Sequence, residues 1–208
     1  MMRSISSIGL AACVCIGALS ACDNGAGDAA QETAATDAQS AAPPPPPPQL
    51  PGQVVRAFAG TQLPLQTFED PDGNSLDLAA LDQPVLLNLW ATWCVPCVVE
   101  MPMLDTLAGE FEGEMRVITI SQDMRGAEVV APFFARRDFS HLEQWLDPNA
   151  DLSANFADGG LLPMTILFDS EGREIFRIAG AYEWDSEEAI ARVRGALNEA
   201  LDEADSAS

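Results

Sequence analysis

Basic residues are scarce in this sequence, and lysine is missing altogether. The 208 residues include ten arginines and one histidine, against 32 aspartates and glutamates, so the formal net charge is -22 at pH 7. A surface with this excess of negative charge repels nucleic acid and anionic lipid head groups. The composition therefore excludes a nucleic-acid partner. The single histidine, His141, lies far from the cysteines in the sequence, which indicates a surface residue and not a metal ligand.

The apolar run near the N-terminus is too short for a comfortable membrane span. It extends over about 8–19, follows a single positive charge at Arg3, and precedes small residues, which is the pattern of a secretory signal peptide. The sequence LSAC at 19–22 resembles the lipobox of bacterial lipoproteins, in which the peptide is cut before the cysteine and the cysteine carries the lipid. We predict a signal peptide at 1–21 and lipidation of Cys22. The alternative is an ordinary signal peptide followed by an unrelated cysteine.

Cysteine is scarce as well. Of the five cysteines, Cys13 and Cys15 would leave with the signal peptide and Cys22 would be acylated, so that Cys94 and Cys97 remain as free thiols. A disulfide between residues three apart closes almost no chain entropy and adds little stability. The sequence therefore does not describe a disulfide-stapled scaffold. A redox centre and a metal clip remain as roles for the pair.

The segment before the folded domain has the composition of a tether. Residues 23–42 are small and polar, and six consecutive prolines follow at 43–48. Such a segment cannot bury enough apolar surface to fold, and the prolines favour a stiff polyproline II rod of about 19 Å. We predict a lipidated, disordered tether at 22–53, a folded domain at 54–204 and a short disordered tail at 205–208.

Hydrophobic periodicity predicts one domain in which strands alternate with helices. Residues 85–91 have no polar face, as in a strand buried on both sides, and apolar residues recur at helical spacing after Cys97. The other predicted elements are a hairpin formed by 63–68 and 75–78, strands at 115–121, 142–146, 164–168 and 174–178, and helices at 128–137, 149–157 and from 185 onward. The last helix is expected to bury Ile190, Val193, Leu197 and Leu201. This order indicates an α/β fold with a mixed central sheet and helices on both faces.

Two stretches resemble one known family. The sequence LLNLWATWCVPCVVEMPML at 86–104 resembles the TlpA/ResA-like branch of the thioredoxin superfamily, and LLPMTILFDSEGRE at 161–174 resembles the cis-proline loop and strand–turn–strand of that branch. The resemblance covers about 58–204. It implies a thioredoxin-like fold with an N-terminal β-hairpin and a central strand–helix insertion at 116–157. Members are membrane-tethered thiol–disulfide oxidoreductases of the bacterial periplasm, and we expect no cofactor.

The two cysteines are the predicted catalytic pair. A thiol–disulfide reaction needs a thiolate within reach of a substrate disulfide. Cys94 falls where the predicted strand ends and a helix begins, and the N–H groups at a helix N-terminus stabilise a negative sulfur. Cys97 lies one helical turn later on the same face, close enough to form a disulfide with Cys94. We predict that Cys94 attacks the substrate and that Cys97 resolves the mixed disulfide.

Four further residues are predicted to contact the substrate. Trp93 would offer an apolar surface beside the cysteines, and Pro96 suits the first helical turn, where its missing N–H costs nothing. The resemblance identifies Pro163 as the cis-proline, with its backbone against the sulfurs. It also implies that the substrate chain pairs with the preceding residue, Leu162.

One position departs from the thioredoxin pattern. Ordinary thioredoxins carry a buried aspartate six residues before the first cysteine, where this sequence has Asn88, which cannot accept a proton. Glu100, three residues after Cys97, matches an active-site glutamate of the ResA-like group. We predict that Glu100 takes the proton from Cys97 during resolution. The alternative is a solvated carboxylate on the helix surface.

The favoured function is a reductase on the periplasmic face of the bacterial inner membrane, anchored by its lipid. An exported compartment is oxidising, so the resemblance implies a membrane electron donor of the DsbD or CcdA kind. It also implies acceptors among exported proteins with cysteine pairs, such as apocytochrome c or copper-centre assembly proteins. The main alternative is a copper chaperone with Cys94 and Cys97 as ligands, although a closed metal site needs more than two thiols and a distant histidine.

Three other functions fit the cysteine pattern less well. A peroxiredoxin has no partner cysteine three residues on, and an oxidase of the DsbA kind carries a histidine between its cysteines that stabilises the thiolate. A non-enzymatic lipoprotein would not require this cysteine context. The remaining candidates are expected to pack in the core or at its rim, and they are Trp90, Trp145, Trp184, Met101 and Met103.

Overall fold

A computed structural model describes residues 52–156 and 160–207. The strands in this part of the chain are β1 (Gln53–Val55), β2 (Thr67–Glu69), β3 (Ser75–Asp77), β4 (Val85–Trp90), β5 (Arg116–Ser121), β6 (Trp145–Leu146), β7 (Met164–Phe168) and β8 (Glu174–Ala179). The helices are α1 (Val95–Glu110), α2 (Ala127–Phe134), α3 (Asp151–Phe156) and α4 (Glu187–Ala207), and a 3₁₀ turn covers Leu78–Ala80. The predicted signal peptide, the lipidation site at Cys22 and the tether up to residue 51 lie outside the described residues.

The strands form one mixed sheet in the order β1-β8-β7-β4-β5-β6-β2-β3. β4 is parallel to β5 and antiparallel to β7, and all six of its residues are buried. A strand covered on both faces has no polar side, which explains why β4 is apolar apart from Asn88. The two predicted hairpins are present as β2–β3 and β7–β8. The predicted mixed α/β sheet is therefore confirmed.

Helices cover both faces of this sheet, as predicted. On one face α1 and α4 pack onto the strands in a cluster that includes Leu86, Leu104, Leu107, Phe176 and Val193. On the other face α3 and the β2–β3 hairpin pack onto the strands in a second cluster that includes Phe68, Leu87, Ile118, Leu152 and Phe156. Each cluster is an apolar layer removed from water, which is the main source of the stability of such a fold.

A third cluster lies where β4 ends. Trp90, the last residue of β4, contacts the ring of Phe133 on α2, with 4.8 Å between ring centroids. The same cluster contains Cys94, Cys97 and Met101 from the start of α1. α2 thereby encloses the end of β4 from which the cysteine loop departs, so the loop is packed against a helix on its inner side.

The structure corrects both ends of the predicted domain. At the N-terminal end, Gly52 N–H donates to Ala181 O at 2.7 Å and Gln53 pairs with Ala179, so the tether predicted to reach residue 53 already belongs to the sheet there. At the C-terminal end, α4 continues to Ala207, and the tail predicted as disordered at 205–208 is helical as far as it is described. Residues of high helix propensity, mainly alanine, glutamate and leucine, explain this continuation.

Two smaller expectations also change. Leu201 is 55% exposed and not buried. The predicted strand at 142–146 contracts to Trp145–Leu146 because the N–H of Leu142 donates to Asp105 Oδ1 at 3.1 Å and not to a neighbouring strand. Within residues 52–156 and 160–207, no helix combines the length and apolarity that a membrane crossing requires.

Candidate active site

Cys94 and Cys97 form a disulfide at the junction of β4 and α1. Cys94 is the N-cap of α1, and its sulfur accepts a hydrogen bond from the N–H of Cys97 at 3.3 Å. The unpaired N–H groups of a helix N-terminus favour a negative atom at this position. Pro96 occupies the first turn, where the helix needs no N–H from it. Reduced Cys94 is therefore placed where its thiolate is stabilised.

The two cysteines differ in their access to solvent. Cys97 is completely enclosed, whereas Cys94 keeps a small exposed surface. The residues on either side of Cys94 stand out from the protein, with Trp93 67% and Val95 63% exposed. A partner protein therefore meets apolar side chains as it approaches Cys94. This asymmetry favours Cys94 as the sulfur that attacks first.

The peptide bond between Leu162 and Pro163 is cis. Pro163 is buried directly before β7, which is the antiparallel neighbour of β4. Leu162 packs against the cluster that contains both cysteines. Among the described residues, neither the N–H nor the C=O of Leu162 has a hydrogen-bond partner, so its backbone is open to an incoming chain. The carbonyl of Pro163, in contrast, accepts from Gly180 N–H at 2.9 Å.

Glu100 lies one helical turn after Cys97 and is buried, with 1% of its surface exposed. Its carboxylate accepts hydrogen bonds from Asn88 Nδ2 at 2.9 Å and from the backbone N–H of Tyr182 at 3.1 Å. The alternative of a solvated carboxylate on the helix surface is therefore wrong. A buried carboxyl held by two donors, one helical turn after the resolving cysteine, is a candidate proton acceptor for it.

Burial raises the pKa of Glu100 to about 8. Loss of water disfavours the charged form, and the hydrogen bonds from Tyr182 and Asn88 lower the pKa without offsetting that effect. A carboxyl group with this pKa exchanges its proton in the pH range in which thiols ionise.

Asn88 connects β4, α1 and β7 at the position where thioredoxins have their aspartate. Its Nδ2 donates to Glu100 Oε1 and to Thr165 Oγ1, both at 2.9 Å, and all three residues are buried. Its Oδ1 has no partner within the part of the chain that the structure describes. Position 88 thus has no acid, but the Glu100 carboxyl from α1 lies in contact with it in the same buried region.

Sequence reasoning missed Asp123, which anchors the cysteine loop. Its carboxylate accepts from the N–H of Thr92 at 2.8 Å, from Thr92 Oγ1 at 2.7 Å and from Ser121 Oγ at 2.8 Å. Asp123 follows β5, the parallel neighbour of β4, and the carboxyl ends of parallel strands meet at one edge of a sheet. That placement, an acidic residue two positions after the end of a buried strand, is the signal that could have identified it.

The other candidate residues lie as predicted, with the histidine at the surface and the tryptophans and methionines in the core or at its rim. His141 is exposed, with its Nδ1 3.9 Å from a carboxylate oxygen of Asp105. The three further tryptophans and Met101 are buried, and Met103 packs against the cluster under α1 and α4. In the described ranges, no three side chains of histidine, cysteine, aspartate or glutamate are grouped so as to hold a metal ion.

A CxxC disulfide at the N-terminus of a helix, beside a cis-proline and on a mixed sheet, defines the class of thioredoxin-fold protein-disulfide oxidoreductases. The sequence profile of the Redoxin family matches residues 58–193. The chain belongs to this family, and it is a TlpA/ResA-like member of the thioredoxin superfamily. The predicted fold and the predicted class of enzyme, a thiol–disulfide oxidoreductase, are both confirmed.

Relatives of known name agree with this assignment. The thiol–disulfide oxidoreductase ResA of Bacillus cereus is 28% identical over 122 residues, which cover 58% of this chain and 69% of the relative. Thioredoxin of Haemophilus influenzae is 45% identical over 42 residues, or 20% of this chain and 39% of the relative. The match to ResA thus extends well beyond the segment around the cysteines.

Solved structures show the same fold. A protein of Chlorobium tepidum described as a thiol:disulfide interchange protein DsbE has a TM-score of 0.59 and 20% identity, covering 67% of this chain and 97% of its own. The exposed lipoprotein thioredoxin Etrx1 of Streptococcus pneumoniae has a TM-score of 0.52 and 23% identity, covering 61% and 98%. At these identities the likeness establishes the fold alone.

Proposed function

We propose that the chain is a reductase of disulfides in exported proteins, working at the periplasmic face of the inner membrane through a lipid anchor on Cys22. The observation that carries the proposal is the buried Glu100 carboxyl one turn after Cys97, on the helix whose N-terminus is capped by Cys94. This arrangement combines a stabilised attacking sulfur with a proton acceptor for the resolving one.

The charges around the disulfide favour electron transfer from the reduced dithiol to the substrate disulfide. A strong oxidant has a stabilised reduced form. Here the only hydrogen-bond donor to Cys94 Sγ among the described residues is Cys97 N–H, and the intervening Val95 and Pro96 are uncharged. Ionised Glu100 opposes a second negative charge at Cys97. Beyond the effect of the helix N-terminus, the reduced form therefore gains little extra stability, which is the condition for an electron donor.

The reaction moves two electrons from the dithiol to the substrate. The Cys94 thiolate attacks one sulfur of the substrate disulfide, and the other substrate sulfur leaves as a thiolate that takes a proton from solvent. Glu100 then accepts the proton of Cys97, whose sulfur attacks Cys94 and releases the second substrate sulfur as a thiolate. That thiolate takes a proton from solvent, and Glu100 returns its own proton to solvent. One oxidised Cys94–Cys97 pair and one substrate dithiol result. A membrane donor of the DsbD or CcdA kind returns two electrons and two protons.

The surroundings of Cys94 suit a protein substrate. Trp93 and Val95 present exposed apolar surface, and the backbone of Leu162 can pair with an extended chain. The resemblance to the TlpA/ResA-like branch supports cysteine pairs of apocytochrome c or of copper-centre assembly proteins as acceptors, because such pairs must be reduced before haem or metal is inserted.

The reduction potential of the Cys94–Cys97 pair tests the direction of electron flow. We expect a value near that of thioredoxin, about -270 mV, after equilibration with defined thiol–disulfide buffers. A value near that of DsbA, about -120 mV, would identify an oxidase and refute the proposal.

Capture of partners tests the exchange itself. In cells, a Cys97→Ala variant should accumulate mixed disulfides through Cys94, because the resolving sulfur is missing. A variant that also carries Cys94→Ala is the matched control and should capture nothing. If the single variant captures no exported protein, disulfide exchange is not the function of the pair.

A further inference from the structure

A groove beside the cysteine loop has no role in the reaction described above. It has a volume of about 510 Å³ and opens between α1 and α2. Thr92, two residues before Cys94, and Val98, directly after Cys97, form one side of it. The α2 side is formed by Glu128, Val129, Pro132, Phe133, Arg136 and Arg137. The groove therefore adjoins the catalytic loop and is accessible to solvent.

Two arginines give the groove a local positive charge on a strongly acidic protein. The formal net charge of the protein is -22, and six of the nine arginines in the described ranges form ion pairs with carboxylates. The three others are Arg56, Arg136 and Arg137, two of which are in the groove. Glu128 at the groove wall is itself paired with Arg125. A concentrated positive charge on an acidic protein indicates an acidic ligand.

The two guanidinium groups are held differently. Arg137 is fixed against Phe133, with its central carbon 3.5 Å from the ring centroid and its Nη1 donating to Phe133 O at 3.1 Å. Arg136 is exposed and makes no hydrogen bond within the described part of the chain. Burial and the charge of Arg136 together lower the pKa of Arg137. A carboxylate bound by both groups would offset this repulsion.

Apolar surface around the arginines suits a peptide better than a small anion. Val98, Val129 and Phe133 contribute apolar walls within the groove. Exposed apolar side chains continue this surface around the cysteine loop, and they are Trp93, Val95 and Val99. A segment with apolar residues and one or two carboxylates can use both the walls and the arginines, whereas a small anion would use the arginines alone.

We propose that the groove docks a segment of the substrate protein in which acidic residues flank the target cysteine, with Arg136 and Arg137 binding the carboxylates while Cys94 attacks the disulfide. The inference rests on the reductase function and adds a substrate class to it. Exported proteins with acidic residues beside the target disulfide are preferred, and basic flanks are repelled by the same pair of arginines.

Three disulfide peptides of equal length test the proposal. They share one intramolecular disulfide and the same apolar residues, and their flanks carry aspartate, asparagine or lysine. The reduced protein should reduce the aspartate peptide about tenfold faster than the asparagine peptide at low ionic strength, and the lysine peptide most slowly. Arg136→Glu should abolish or reverse this order. Arg56→Glu is the matched control. It removes an exposed arginine that follows the edge strand β1, and it should leave the order of the three peptide rates unchanged.

A small uncharged disulfide separates docking from chemistry. Wild type and Arg136→Glu should reduce hydroxyethyl disulfide at equal rates, because that compound does not use the groove. Equal rates with all three peptides, together with normal reduction of hydroxyethyl disulfide, would refute the docking site and leave the reductase function standing. A preference that survives Arg136→Glu would also refute it. Failure to reduce any of the four disulfides would refute both proposals.

Discussion

Glu100 and Asn88 form a matched pair at the scale of single residues. The amide of Asn88 donates to the carboxylate through Nδ2, and its Oδ1, which has no partner among the described residues, can accept from the protonated acid after the amide rotates. An aspartate at position 88 would place a second carboxylate against Glu100 in a buried space, where like charges repel strongly. Asparagine at position 88 can therefore form a hydrogen bond with Glu100 in both the ionised and the protonated form of the carboxyl.

We expect Glu100→Gln to remove a pH dependence of stability in the oxidised protein. The pKa of Glu100 in the folded state, about 8, lies above its ordinary value of 4.5. The contribution to stability is complete below about pH 4.5 and is lost as the pH rises through about 8, because the folded state keeps a proton that the unfolded state releases. The loss is on the order of a few kcal/mol.

Urea unfolding between about pH 5 and about pH 9 measures this loss. Glu110→Gln, on an exposed residue of the same helix, should keep the dependence of the wild type on pH. A wild-type free energy of unfolding that stays constant over this range, or one that rises, would contradict a raised pKa at Glu100.

The same substitution should slow the resolving step. Because Glu100 must be ionised to accept the proton of Cys97, release of substrate from the mixed disulfide should accelerate as the pH rises through about 8 in the wild type. Glu100→Gln should reduce this rate by about 100-fold and remove that pH step, with the attack by Cys94 unchanged. Rapid acid quenching followed by mass spectrometry of the mixed disulfide measures both rates. A slowed first attack with normal resolution would assign Glu100 a different role.

At the scale of strands and helices, local signals predicted most of the fold. β4, β5, β7 and β8 are short apolar runs, and the buried face of α1 repeats at helical spacing, so each can be recognised within its own segment. β1 has no such signal, because Gln53 and Val54 are exposed at the sheet edge. The shortened β6 could not be foreseen either, since its missing part depends on Asp105, 37 residues away from Leu142.

The candidate site also contains residues that local motifs predict and residues that depend on distant parts of the chain. The cysteines, Pro163 and Glu100 belong to local motifs and were identified from the sequence. Two of the groups that hold the site, Thr165 and the N–H of Tyr182, lie 77 and 82 residues from their partners Asn88 and Glu100. A backbone N–H has no sequence signature, so only the folded chain shows that it binds this carboxylate.

The connection between β5 and the cysteine loop should contribute measurably to stability. Asp123→Ala removes the acceptor for both hydrogen bonds from Thr92 and leaves a partly buried N–H unpaired. We expect the free energy of unfolding to fall by about 3 kcal/mol, since hydrogen bonds to charged groups and unsatisfied buried donors each contribute at this scale. Asp72→Ala, an exposed residue in the β2–β3 turn, is the control and should change little. Equal urea midpoints for both variants would show that the loop is held by packing alone.

At the scale of the whole molecule, the dominant feature is negative charge. A formal net charge of -22 and a pI of about 4.1 mean that carboxylates repel one another over the surface at neutral pH. Added salt screens this repulsion, but it also screens the attraction between the arginine groove and an acidic peptide. Stability and peptide preference should therefore respond to salt in opposite directions.

We expect the free energy of unfolding to increase by on the order of 1 kcal/mol between roughly 0.05 M and 0.5 M sodium chloride at neutral pH. Urea titrations at each ionic strength measure the change, and potassium chloride at equal ionic strength should give the same increase if screening is the cause. A decrease with salt would mean that the ion pairs of the described residues outweigh the general repulsion.

The hydrogen bond from Tyr182 to Glu100 spans 82 residues and so sets an order in time. A chain grows from its N-terminus at roughly 5–20 residues per second, so Glu100 and both cysteines are synthesised on the order of ten seconds before the donor that completes the enclosure of this carboxyl. Until Tyr182 is made, the Glu100 carboxyl lacks this donor. The hydrogen-bonded form of the carboxyl is therefore completed only when the last part of the domain has been synthesised.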